Sequence, residues 1–348
     1  MDSKKKRYNS LAWLRVIATI MIVYDHLAGM RNPEWVVNRI VNSIICRPLN
    51  VVQSFGALGV SLFYIISGFL LMNSNANQEK EGKIAVLKIG KIYLSSLLAF
   101  AGFGLCIWTV GHFIDTYWSQ YSIEDWLLSA SLIGYFKGTG DVINGTTWFM
   151  IPLFLFYALG VWLRKGMGKN YTRSFLHVEC FCAFLLLGMI LGKRLCHVEI
   201  AVLSYFPFVF IPLTGVLFYG IYMQEVSLWR GVAFFGGNYV LLVIAIRELN
   251  YGYYEENPYL ISYIYACSLF LLFLIGENHF KSNRILDIAN RLGLPIYLLH
   301  MTWGSLCMTF FEKRISFGIS LLLSVFVVAG LASVHERFVD RKLVHWLK

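Results

Sequence analysis

Charge is what this sequence has least of. Acidic and basic residues make up 14% of 348, against about 25% in a soluble domain. No long polar segment separates the apolar blocks. That scarcity excludes an ordinary soluble fold and predicts one membrane-embedded unit over residues 1–348, with no soluble appendage. Cysteine is sparse too. The seven cysteines are odd in number, fall mostly in apolar runs and form no CxxC pair, so neither a disulfide framework nor a metal site is expected. No internal repeat is visible. Residues 1–30 open basic but lack a small-residue cleavage site, and the apolar run contains Arg15 and His26, so no cleavable signal peptide is expected. The net charge of +10 does not imply a nucleic-acid partner. The basic residues sit between apolar blocks, as loop anchors do, and form no stripe.

What is abundant is apolar and aromatic: 57% hydrophobic and 16% aromatic residues, with a mean hydropathy of +0.61. A membrane helix needs about 20 such residues. That rule predicts an all-α polytopic protein with about ten spans, near 9–29, 51–73, 92–113, 147–163, 174–192, 200–223, 231–249, 259–277, 290–310 and 316–335. The stretches 122–136 and 33–48 are too short or too amphipathic to cross and read as interfacial or re-entrant pieces. With the N-terminus inside, the inner segments hold 20 Lys and Arg and the outer ones 9, Arg15 being the remaining one of the 30. The positive-inside rule then puts both termini in the cytoplasm.

Polar residues inside a span are costly and point to function. The first span carries Arg15, Asp25 and His26. Arg15 and His26 are eleven residues apart, close to three helical turns, so they share a face about 16 Å apart along the axis. Asp25 is turned about 100° from His26. Each has a structural alternative: a snorkelling Arg15, a hydrogen-bonded His26, and an Asp25 paired with a neighbouring helix. Ser67-Gly68 in the second span permits close backbone approach. Lys88 and Lys91, at the expected start of the third span, share a face near a helix N-terminus, which suits a phosphate-bearing ligand. Ordinary cytoplasmic anchoring is the alternative. Pro295-Ile296-Tyr297-Leu298-Leu299-His300 gives a second intramembrane histidine beside a helix-kinking proline. Thr146-Thr147-Trp148-Phe149 opens the fourth span.

Together these motifs resemble the acyltransferase-3 family of bacterial integral membrane acyltransferases. Arg15…His26 matches its Arg-X10-His pattern, GVSLFYIISGFLL its GVxxFFxxSGFL block, and Lys88-x-x-Lys91 its basic RxxR motif, with Lys for Arg. TTWFMIPLFLFY, IYLLH and the tail RFVDRKL also match, the last with Asp340 for Glu and no proline. The matches run in order over nearly the whole chain.

The resemblance implies ten membrane helices and transfer of an acyl group, usually acetyl from acetyl-CoA, to a sugar, glycan, glycolipid or small molecule. It also implies a stand-alone member in the bacterial cytoplasmic membrane. No tightly bound cofactor is expected; acyl-CoA is a substrate. On this reading His26, Arg15 and Asp25 are catalytic. Lys88, Lys91, Arg15 and Ser67 hold the donor, and Trp148, Tyr297 and His300 hold the acceptor. His26 serves either as general base or as transient acyl carrier. The alternative from another class is a proton-coupled transporter using the same Arg, Asp and His.

Overall fold

A computed structural model describes residues 7–51, 55–73, 81–110, 120–138, 140, 143, 145–167, 170–197, 200–250 and 256–346. Among them, nine helices are long and apolar enough to cross a membrane. They are α1 (Asn9–Gly29), α3 (Glu81–Val110), α4 (Thr147–Gly166), α5 (Tyr171–Cys196), α6 (Ala201–Tyr222), α7 (Leu228–Leu249), α8 (Glu256–Ile275), α9 (Arg284–Phe311) and α10 (Phe317–His345). The tenth apolar helix, α2 (Gly56–Met72), has 17 residues. At the standard rise it is about 25 Å long, slightly under the usual hydrocarbon thickness. The chain is an all-α polytopic membrane protein.

The expected spans fall on these ten helices. The largest difference is at the third. Hydropathy starts it at residue 92, but the helix begins at Glu81, because a helix does not stop where the lipid does. Lys88 and Lys91 therefore lie about two turns inside α3. Its free N–H groups are not beside them, and the anion site expected from a helix N-terminus is withdrawn. Expected residues 52–54 and 111–113 lie outside the described residues. The interfacial pieces are helical: Ile123–Ala130, started by a Ser122–Asp125 capping box, and a strap of short turns over Val36–Leu49. In that box the Ser122 hydroxyl and then its backbone N–H hold the Asp125 carboxyl below the usual range.

The bundle is organised around α2, which packs against α1, α6 and α8. Its crossing with α6 is backbone to backbone. A Cβ on Gly68 would strike the Pro212 carbonyl, and one on Gly215 would strike the Ile65 carbonyl. In lipid, helices associate through such small-residue contacts and interhelical hydrogen bonds. The second kind is present nearby: Asn238 of α7 donates to the Phe210 carbonyl at 2.7 Å and to the Thr214 hydroxyl at 2.8 Å. Tyr263 of α8 meets the same hydroxyl at 2.5 Å.

The start of α1 and the middle of α3 are also tied down. Glu277 accepts from the Asn9 and Ser10 backbone N–H groups at 2.8 and 2.9 Å, satisfying donors that a helix start leaves open. Ser95 of α3 donates to Asp340 at 2.7 Å and meets His335 Nε2 at 3.0 Å. Because the serine proton is given to the carboxylate, this Ser–His–Asp trio is a clamp between α3 and α10 and not an activated nucleophile.

Gly68→Val and Gly215→Val should each lower Tm in detergent, by overpacking of about 1–3 kcal/mol. The same change at Gly188, where a Cβ meets open space, should leave Tm unchanged. Equal Tm for all three variants would contradict the close crossing.

Candidate active site

Five helices, α1, α2, α3, α4 and α9, enclose a cavity of about 210 Å³. Each contributes one helical face: Arg15 and Thr19; Val60, Phe63, Tyr64 and Ser67; Ile92; Phe149, Leu153 and Tyr157; Asn290, Gly293, Leu294 and Tyr297. The repeats of three and four residues are those of a single helix face. The walls are mostly apolar, and the polar groups gather in one corner. Tyr157 hydrogen-bonds Ser67 and interacts electrostatically with Arg15. The Lys88 ammonium lies 5.3 Å from the centre of the Tyr157 ring, within cation–π range. Arg15, Ser67 and Lys88, placed in three separate helices, are thus brought together on Tyr157. Lys91 lies partly buried one turn further along α3.

Tyr297 forms the wall at the other end. Its ring packs on Phe149, with centroids 4.4 Å apart, and its hydroxyl donates to the Thr146 carbonyl at 2.8 Å. Tyr64 likewise donates to the Phe149 carbonyl at 2.8 Å. These two bonds fix the start of α4 to α9 and α2. Behind Tyr297 sit two histidines. His26 Nδ1 and His300 Nε2 are 3.0 Å apart, and His300 Nδ1 is 2.7 Å from the Tyr297 carbonyl. His300 is fully buried, and His26 is partly buried. Both lie in π-helical turns, Asp25–Gly29 and His300–Gly304, a local widening that is frequent at functional sites.

A family model described as an acyltransferase domain matches residues 8–334. The chain belongs to the acyltransferase-3 family. It is a membrane acyltransferase, and the transporter alternative gives way to that membership. No curated protein and no solved structure matches it.

Within this acyltransferase the expected residues separate into two sets. Arg15, Ser67 and Tyr297 line the cavity, Lys88 sits at its polar corner, and His26 pairs with His300 behind Tyr297. Asp25 and Trp148 lie elsewhere. The Asp25 carboxylate is packed against Gly56, in the space a Cβ there would take. That is the N-terminus of α2, where a negative charge is favoured. Trp148 is buried against α6, stacked on Tyr205 with centroids 5.6 Å apart and 4.7 Å from Phe208. Its neighbour Phe149 takes the place on the cavity wall, because successive residues of the 3-10 turn that opens α4 point about 120° apart. Tyr157, Phe149 and Asn290 are the cavity residues that motif reading missed. For Asn290 the signal is the spacing: Asn290, Gly293 and Tyr297 lie ten, seven and three residues before His300, on one face of α9.

Asp25→Asn should lower Tm in detergent by the loss of a helix-end charge worth about 0.3–1 kcal/mol, with kcat within about twofold of the parent. A collapse of kcat at unchanged Tm would return Asp25 to the catalytic set.

Proposed function

We propose that this acyltransferase moves an acyl group, acetyl in the first instance, from cytoplasmic acyl-CoA to a hydroxyl of a cell-envelope glycan or glycolipid at the bacterial cytoplasmic membrane. The observation that carries the reading is the cavity itself. It has a cationic corner at Arg15 and Lys88, and one of its lining residues, Tyr297, adjoins the His300–His26 pair, with the Tyr297 and His300 ring centroids 5.5 Å apart.

At about 210 Å³ the cavity is smaller than the roughly 300–1,000 Å³ of most ligand pockets. It suits the thioester end of the donor, with the nucleotide phosphates left outside toward Lys88 and Lys91. The positive-inside rule puts both termini in the cytoplasm, and on that orientation those lysines lie on the donor's side. The buried Asn290 Oδ1, which has no hydrogen-bond partner among the described residues, offers an acceptor to an amide N–H of the donor's arm. His26 lies toward the outer half of α1, where an acceptor hydroxyl arrives. It takes the hydroxyl proton as the oxygen bonds to the thioester carbonyl carbon. The C–S bond then breaks, and the proton passes from His26 to the departing thiolate. The acyl ester and free CoA leave with all atoms and charges balanced.

His26→Ala should reduce transfer by about 10²-fold or more, the range for a positioned base, with membrane insertion unchanged. Normal transfer by that variant would end the assignment. Lys88→Ala with Lys91→Ala should raise KM for acyl-CoA about tenfold, equivalent to about 1.4 kcal/mol, with little change for the acceptor. An unchanged acyl-CoA KM would remove both lysines from the site. Mass spectrometry of envelope glycans with and without the gene should show a difference of one acyl unit.

A further inference from the structure

The two histidines form an ordered chain of hydrogen bonds, and its order has a direction. A carbonyl oxygen only accepts, so the 2.7 Å contact with Tyr297 O requires the hydrogen on His300 Nδ1. A neutral imidazole carries one N–H and one lone pair, so His300 then presents its lone pair at Nε2. That nitrogen faces His26 Nδ1 at 3.0 Å, and a bond between them requires the hydrogen on His26 Nδ1. The lone pair of His26 is left on Nε2, the nitrogen that makes no bond within the pair.

We infer that His300 is a positioning residue that selects the tautomer of His26 and makes Nε2 its basic nitrogen. The inference rests on the proposal that His26 is the base. A bare imidazole in water exchanges between its two tautomers; here His26 also hydrogen-bonds the Ile22 carbonyl one turn back, and the Tyr297 carbonyl, acting through His300, adds its own hold. No ion pair among the described residues involves either ring, and an isolated charge is costly in such an interior, so the neutral form of His300 is the one the surroundings favour. In the reaction, the acceptor's proton goes to His26 Nε2, and the resulting imidazolium keeps its Nδ1–H on His300 Nε2. His300 neither gains nor loses a proton. The π-helical turns supply the geometry. Each adds a residue to its turn, one just after Tyr24 in α1 and one just after Leu299 in α9. Ring centroids 5.1 Å apart result.

The test compares substitutions at His300 in the full-length protein, with acetyl-CoA as donor probe, free CoA as the readout and Tm in detergent followed for each. His300→Leu removes the acceptor and should lower kcat about 10²-fold or more, with KM for acetyl-CoA within about twofold. His300→Gln places an amide oxygen near the former Nε2 and should recover at least about tenfold of that loss. His300→Asn places its oxygen near the former Nδ1, out of reach of His26; it should resemble the leucine variant. Should the leucine variant not fold, the glutamine–asparagine contrast decides. Equal kcat in those two, or a leucine variant as fast as the parent, overturns the inference. His26→Ala run alongside separates the two claims. If it is inactive while His300→Leu is fully active, only the positioning role falls. If it is active, the base assignment falls first.

Discussion

The arrangement depends on satisfying imidazole nitrogens where water is scarce. A buried polar group without a partner costs about 1–3 kcal/mol or more, and α1 and α9 each bring one histidine into the bundle. Each ring solves the other's problem: His300 Nε2 meets His26 Nδ1, and the Tyr297 carbonyl takes the remaining proton of His300. The carbonyl that ends the chain belongs to the residue whose ring walls the cavity.

The surrounding packing holds those groups in register. The glycine-mediated crossing of α2 and α6 fixes the helix that carries Tyr64 and Ser67. The Glu277 cap sets the start of α1, and the strap sets its far end: Asn38 donates to the Ala28 carbonyl at 2.8 Å, inside the π-turn that holds His26. The clamp of Ser95 to Asp340 and His335 holds α3 against α10, one turn beyond Lys91. A larger apolar groove between α6, α7 and α8 has no charged side chain among its described lining residues, and these offer an acyl donor no phosphate contact.

The sequence carries most of this plan in its hydropathy. Ten apolar stretches fall on ten helices because a bilayer imposes one length on all of them. Arg15 and His26 stand out because charge inside α1 is expensive, and both sit where a polar surface exists to receive them. The pairing of His26 with His300 is not legible. Both residues attract notice singly, but two π-turns decide their meeting, and ideal helical spacing contains no such turn. Lys88 and Lys91 are legible as cations but not as helix-interior residues, since hydropathy reports where lipid ends and not where hydrogen bonding ends. Asp25 is drawn to the site by adjacency to His26, yet one residue of rotation sends it to the end of α2. Trp148 and Phe149 exchange roles for the same reason.

The central claim is that His26 stands with a hydrogen on Nδ1 and a free lone pair on Nε2. The most direct measurement is nitrogen NMR of histidine-labelled protein in lipid, with the His26 and His300 signals assigned by substitution. The account predicts that the neutral His26 ring shows a protonated Nδ1 and an unprotonated Nε2, and that the pattern loses its preference when His300 is replaced by leucine. A His26 ring protonated on Nε2, or one indifferent to the residue at position 300, would contradict it.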